Sequence, residues 1–256
     1  MLEIAQYSTR LQTSKINLAE ALEKSPLGPN FANAGSPVTR QLANDLAVVW
    51  QTFTQRLDAV PVIAAINNGS ITREGYLSLL RNIRQQVIEG GRWIALAASS
   101  MSLPLFLVRS ALIRHAADEH RDYQMLEKNY VEAGGDLRDI ESATKNVGSE
   151  AFSAYMFYQA SQPDPLGLFG AMFIIEGLGT ARASSWAAKL RTTLDLPEGA
   201  VSFLAYHGQN DDSHYDKLRA VLSAPFIDEA AARSIVKTAR TVARLYCLQL
   251  EELDHV

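Results

Sequence analysis

His207, Asp211 and His214 are the residues of this chain whose types and spacing point most directly to chemistry. With Leu204, Leu218 and Val221 they recur three or four positions apart, so one face of a helix would carry apolar residues at both ends and two imidazoles and a carboxylate between them. Buried without partners, such groups would each cost about 1–3 kcal/mol even in their neutral forms. The same stretch holds Gly208, Asn210, Asp211, Asp212 and Ser213, all weak helix formers. Where local preference and overall pattern disagree, function is the usual reason, and two imidazoles with one carboxylate suit a divalent transition metal. A plainer alternative stands beside this one: Asp211 or Asp212 caps a fresh helix beginning at Ser213, leaving His207 in a loop.

Three further acids fall on or beside apolar faces. Glu119 shares a row with Leu112, Ala116, Tyr123 and Leu126, with His115 four residues before it, Asp122 three after, and His120 one step aside. Glu176 follows ten residues, Leu166 to Ile175, that carry no polar side chain, and Gly177 and Gly179 leave room around it. A helix apolar all round is buried, so Glu176 is expected inside, held ionised by a cation or neutral without one. Glu89 lies beside an inner face and precedes Gly90-Gly91, a pair best explained by a close neighbour or a ligand that needs the space. The candidate metal ligands are therefore Glu89, Glu119, Asp122, Glu176, His207, Asp211 and His214, with Glu119 and Glu176 as the catalytic or bridging carboxylates. Glutamate and histidine projecting from facing helices into a bundle core is the arrangement of carboxylate-bridged di-iron and di-manganese centres.

The elements that must position these residues read as helices throughout. Ser36-Pro37 starts one with the inner row Leu42, Leu46, Val49, Trp50, Phe53 and Leu57. Ser70 or Thr72 starts the next, carrying Tyr76, Leu80, Ile83, Val87 and Ile94. A third is expected over 103–133, ending at Gly134-Gly135. Further helices follow over 150–160, 166–190, the histidine-bearing stretch, and the C-terminal segment after Asp228, whose inner face is Ala231, Ile235, Ala239, Val242, Tyr246 and Leu250. No stretch alternates as a half-buried strand does. The expectation is an all-α bundle of about seven to eight helices, with residues 1–35 as an N-terminal helical extension and linker and 36–256 as the main domain. Trp93 and the aromatic cluster Phe152, Tyr155, Phe157 and Tyr158 are candidates to line an apolar substrate pocket.

At 256 residues and 47% apolar the chain is large enough to bury a substantial core, and a net charge of −4 gives no reason to expect nucleic acid or an anionic membrane as partner. The longest apolar stretch, 94–108, is broken by serines and Pro104 and falls short of a bilayer span. Cys247 is the only cysteine, lies beside the inner row of the last helix, and reads as packing rather than as a nucleophile. With no signal peptide in view, the reading is a cytoplasmic protein in a reducing compartment. Phosphate-binding loops, GxSxG and CxxC motifs are lacking.

Over about residues 36–252, the helix order, Glu119 in its Asp118-Glu119-His120 context, Glu176 in its glycine-flanked apolar helix and the His207, Asp211, His214 spacing resemble the haem-oxygenase-like fold, in the branch of TenA/THI-4-like domains and haem-oxygenase-like di-iron oxidases. The resemblance implies an iron-containing oxidase or oxygenase with one or two iron ions, O2 and a small organic substrate, manganese being compatible with the same donors. It also implies a bundle of a kind that often forms a homodimer. Some di-iron members place a histidine three residues after the glutamate where this chain has Asp122. Haem ligation is not expected, since no histidine precedes His115 in the chain. The resemblance leaves open a metal-free alternative, a TenA/thiaminase-like or quinone-synthase-like protein for small heterocycles, although the mid-chain cysteine nucleophile of thiaminase-type members is missing.

Overall fold

In the computed structural model of the protein, residues 16–253 are described, save the side chains of Ala34 and of residues 210–214. Thirteen α-helices and no strand occur among the described residues: α1 (Leu18–Lys24), α2 (Gly28–Ala34), α3 (Pro37–Asp58), α4 (Pro61–Asn68), α5 (Arg73–Ser100), α6 (Phe106–Glu119), α7 (Tyr123–Glu132), α8 (Leu137–Ser142), α9 (Val147–Ala160), α10 (Leu168–Leu178), α11 (Ser184–Leu194), α12 (Ser202–Leu222) and α13 (Glu229–Glu251). The fold is all-α, as the periodicity predicts. The higher helix count has three sources: short helices in the N-terminal and connecting segments, a corner in the helix expected over 103–133, and a π-helical turn that divides the helix expected over 166–190 into α10 and α11.

The helix starts obey simple capping chemistry. Ser36 accepts from the Thr39 amide with Pro37 in the first turn, Thr72 accepts from Gly75, and Asp228 accepts from Ala231. Each cap satisfies a backbone N–H that has no partner within its helix. Gly69 ends α4 in the left-handed region at φ 76°.

The core is built around α10, whose residues from Leu168 to Ile174 are all buried. It packs on α13 on one side and α12 on the other, and α13 in turn packs on α3 and α9. At Gly170 the α10 and α13 backbones nearly touch: a side-chain carbon there would collide with the Ile235 carbonyl and lie 2.8 Å from the Ala239 nitrogen. Edge-on aromatic contacts tie the layers together, Trp50 with Phe53 at 5.7 Å, Trp50 with Phe173 at 5.8 Å and Phe53 with Tyr246 at 5.9 Å between centroids. The described part of the extension is docked as well, since α1 and α2 pack along α3 and bring Ala21, Leu27 and Ala32 into the core.

Two departures from regular helix matter for the site. The expected helix over 103–133 turns a corner at His120-Arg121-Asp122, dividing α6 from α7. Helix α5 passes this corner at Gly91, where an added carbon would lie 2.7 Å from the His120 Cβ and 2.9 Å from its Cα. Residues Gly179–Ala183 form a π-helical turn joining α10 to α11, a widened geometry that occurs disproportionately at functional sites. Helix α12 packs against that turn, and Gly208 permits the approach, with Ser184 directly opposite.

Candidate metal centre

Helix α6 and the corner after it bring His115, Glu119 and Asp122 toward the protein interior, α10 brings Glu176, and α12 brings His207. Two imidazole–carboxylate pairs result. His115 Nε2 lies 3.3 Å from Glu176 Oε1, both side chains being mostly buried. His207 Nε2 lies 3.4 Å from Asp122 Oδ2, in similar burial. Phe203, one turn before His207, sets the tilt of its ring at 4.4 Å between centroids.

Glu119 sits in the field of both pairs. Burial pushes its carboxyl up to about 7; His115 and His207 pull the other way, while Asp122 and Glu176 add to the rise. For His115, burial disfavours the charged ring, but the contact with Glu176 outweighs it, helped by Glu119 and Asp118, and the imidazole holds its proton more firmly than an ordinary histidine. Asp122 thus meets an imidazole across the bundle rather than extending a row on its own helix.

All of these groups except Asp122 line a cavity of about 130 Å3. His115, Glu119, Glu176 and His207 supply the polar end, and the remaining wall is largely aliphatic and aromatic, including Ile63, Ile66, Trp93, Trp186 and Leu250. Lining residues on α5 run from Leu79 to Ile94, about 22 Å of helix at 1.5 Å per residue. Gly90 opens toward this space, with nothing within 4 Å of where its side chain would start. The glycine pair therefore divides its work: Gly91 admits a neighbouring backbone and Gly90 leaves the cavity clear. Gln86 is the neutral amide of the wall, and its Oε1 accepts from Gln249 at 2.6 Å.

The structure does not bring every candidate to this end. Glu89 is absent from the cavity wall; its two carboxylate oxygens accept from Arg92 at 2.6 Å and from Lys145 at 2.7 Å. Asp211 and His214 belong to α12, but their side chains lie outside the described residues. Trp93 lines the cavity, whereas the cluster Phe152, Tyr155, Phe157 and Tyr158 does not: Phe152 packs on Tyr246 at 6.3 Å, Arg92 stacks on Phe157 at 5.3 Å, and Tyr158 faces solvent. Cys247 is fully buried, and burial pushes its thiol up to about 12, which leaves it inert packing. His115 is the participant that spacing alone leaves in the background; its position four residues before Glu119 was the available signal.

Among the described residues, no three histidine, cysteine or acidic side chains stand close enough together to hold a metal ion. The donor set itself is of the right chemistry: two imidazoles and three carboxylates, mostly buried beside an apolar space, are ligand types that a divalent transition metal takes.

The fold is haem-oxygenase-like. The chain belongs to the family of iron-containing redox enzymes, whose family profile matches residues 78–247. None of the curated proteins matches the chain. Among solved structures it resembles a domain of unknown function with a haem-oxygenase-like fold from Shewanella denitrificans OS217, with a TM-score of 0.76 and 18% identity, covering 84% of this chain and 91% of that one. A TenA homologue from Pseudomonas syringae pv. tomato matches with a TM-score of 0.69 and 13% identity over 88% of this chain and 96% of its own. A TenA homologue from P. horikoshii OT3 matches with a TM-score of 0.66 and 16% identity over 84% and 97%. At these identities the likeness is one of fold. No described helix is long and apolar enough to cross a membrane.

Proposed function

We propose that this protein is a cytoplasmic non-haem iron oxidase or oxygenase acting on a small, largely apolar organic molecule held in the core cavity. The observation that supports this reading most is that His115, Glu119, Glu176 and His207, from three parts of the chain, line one largely apolar cavity, with Asp122 paired to His207. Those five residues, with Asp211 and His214 of α12, would hold the metal; the donor count allows two ions, and Glu119 and Glu176 are suited to bridge them. Iron bound there would supply activation of O2.

The chain's own contributions follow from its packing. Trp93, Met172 and Trp186 supply apolar wall to the cavity that the polar groups line. Phe203 fixes the orientation of the His207 ring, and the Trp186 indole donates to Asn67 at 3.3 Å, pinning its own position on the cavity wall. The apolar length of the wall selects substrates by shape and hydrophobic contact.

Elemental analysis of protein purified with ferrous iron tests the reading. The expected result is at least one iron per chain in the native protein, strongly reduced in His207→Ala and in Glu176→Ala. Negligible iron in the native protein, unchanged by His207→Ala, would rule it out. A second reading rests on the His115–Glu176 contact: a buried imidazole–carboxylate pair can move a proton without a metal, as acid–base chemistry on a small heterocycle requires. Thermal stabilisation by pyrimidines but not by ferrous or manganous ions would favour it.

A further inference from the structure

A seam of polar side chains runs through the bundle wall where α9 packs on both α5 and α13. Asn82, Asn146, Ser149 and Gln249 are buried in it, Gln249 completely. The Asn82 amide donates to Ser149 Oγ at 2.9 Å, and the Gln249 amide donates to Gln86 Oε1 at 2.6 Å. Asn82 and Gln86 stand about one turn apart on α5. Gly148 brings the start of α9 against the α13 backbone: a side-chain carbon there would lie 2.5 Å from the Gln249 nitrogen. Asn146 secures the junction by donating to the Gln249 and Glu252 carbonyls at 2.9 and 3.1 Å. Core residues elsewhere on the same helices, such as Leu80, Met156 and Val242, are apolar.

The seam is short of donors. Asn82 Oδ1 and Gln249 Oε1 are both buried and accept a hydrogen bond from no described residue. Turning over either amide would only move the deficit to its nitrogen. Buried amide oxygens without a donor are rare, and ordered water is what commonly satisfies them. Both ends of the seam reach open space. Asn82 lines a polar surface pocket of about 330 Å3 with Ser78, Arg81, Asp139, Ser142 and Thr144. The Arg81 guanidinium is committed to Tyr130, Glu74 and Ser78, so among the described residues that pocket has no spare cation to attract an anion. At the other end Gln86 lines the core cavity.

We propose that the seam of Asn82, Ser149, Gln249 and Gln86 binds ordered water and forms a water path between the polar surface pocket and the core cavity. The amides are its fixed hydrogen-bonding groups, Asn82 at the outer mouth and Gln86 at the inner one. Water using this path enters or leaves the cavity without crossing the His115–Glu176 and His207–Asp122 pairs. The path stands on the seam alone; its use during turnover rests on the iron-oxidase reading above.

The test uses the full chain, metal-free, with hydrogen exchange into D2O followed by NMR. The Gln249 side-chain amide, although completely buried, is expected to exchange much faster than the backbone amides of Cys247 and Leu250 beside it. Asn82→Leu puts an apolar side chain of similar size at the outer mouth and should slow that exchange by about tenfold or more. A high-resolution crystal structure of the native protein, which needs no variant, should show ordered water within hydrogen-bonding distance of Asn82 Oδ1 and of Gln249 Oε1. Absence of water from both oxygens overturns the proposal. So does side-chain exchange no faster than that of the neighbouring backbone: if both are slow the seam is dry, and if both are fast the end of α13 frays. Exchange unchanged by Asn82→Leu overturns the path as well. Because the protein is metal-free, a failure to take up iron leaves these results standing, and a dry seam leaves the iron reading standing.

Discussion

Gly170 and Glu176 lie less than two turns apart on α10, yet their surroundings are of opposite kinds. Around Gly170 the α10 and α13 backbones meet with no space for a side-chain carbon, and every residue from Leu168 to Ile174 is buried. Around Glu176 the helix widens into the π turn, α12 approaches with an imidazole, and two cavities adjoin. The first region is close-packed and tolerates one arrangement; the second is loosened by polar groups and by free volume. The contrast places rigidity at one end of a helix so that the other end can hold groups whose burial costs stability.

The most severe way to break this division is Gly170→Ala. A carbon driven into the Ile235 carbonyl forces the α10–α13 crossing apart, and a loss of about 3 kcal/mol or more is expected in chemical denaturation. The adjacent glycines of α5 offer a sharper contrast within two residues. Gly91→Ala meets the His120 Cα at 2.9 Å and should cost about 1–3 kcal/mol. Gly90→Ala meets nothing within 4 Å and should stabilise the helix by up to about 1 kcal/mol while narrowing the cavity. Equal effects from the two would mean that the corner of α6 and α7 does not pack on α5 as described.

The polar end should behave in the reverse sense. Because the folded Glu119 carboxyl is raised from 4.5 to about 7, the folded state keeps a proton that the unfolded chain releases, and native stability falls as pH rises through that window. Glu119→Gln removes the penalty. Metal-free variant protein is expected to be about 1–2 kcal/mol more stable than native protein at pH 7 and above, the gain vanishing below about pH 4.5. A variant less stable than the native protein at neutral pH would show that the carboxylate is structural.

Much of this arrangement is written plainly in the sequence. Ser36-Pro37, Thr72 and Asp228 announce helix starts, and the inner rows of α3 and α13 follow from period alone. Glu119 and Glu176 are legible as inward-facing because each interrupts an apolar row. What is not legible is what those rows meet. The pairing of His115 with Glu176 depends on how α6 lies against α10, which no local spacing encodes. Asp122 reaches His207 because the chain turns at residues 120–122, and nothing in the strongly helical run around it announces the corner. Glu89 looks like a ligand from its own helix, yet its partner Lys145 comes from a connection 56 residues later. The aromatic run of α9 suggests a pocket wall by composition, but its residues are distributed between core packing and solvent.

The π turn at Gly179–Ala183 has one more consequence. Such a turn is an α-helix carrying a surplus residue that the wider winding absorbs. The helix beyond it keeps its rotation, with Trp186 on the cavity wall and bonded to Asn67. Excising one of those five positions would restore the ordinary winding with little effect downstream, whereas a residue added where no such turn absorbs it would rotate the rest of the helix by about 100°. The extra link is thus taken up where Ser184 meets Gly208 and is not passed along the chain.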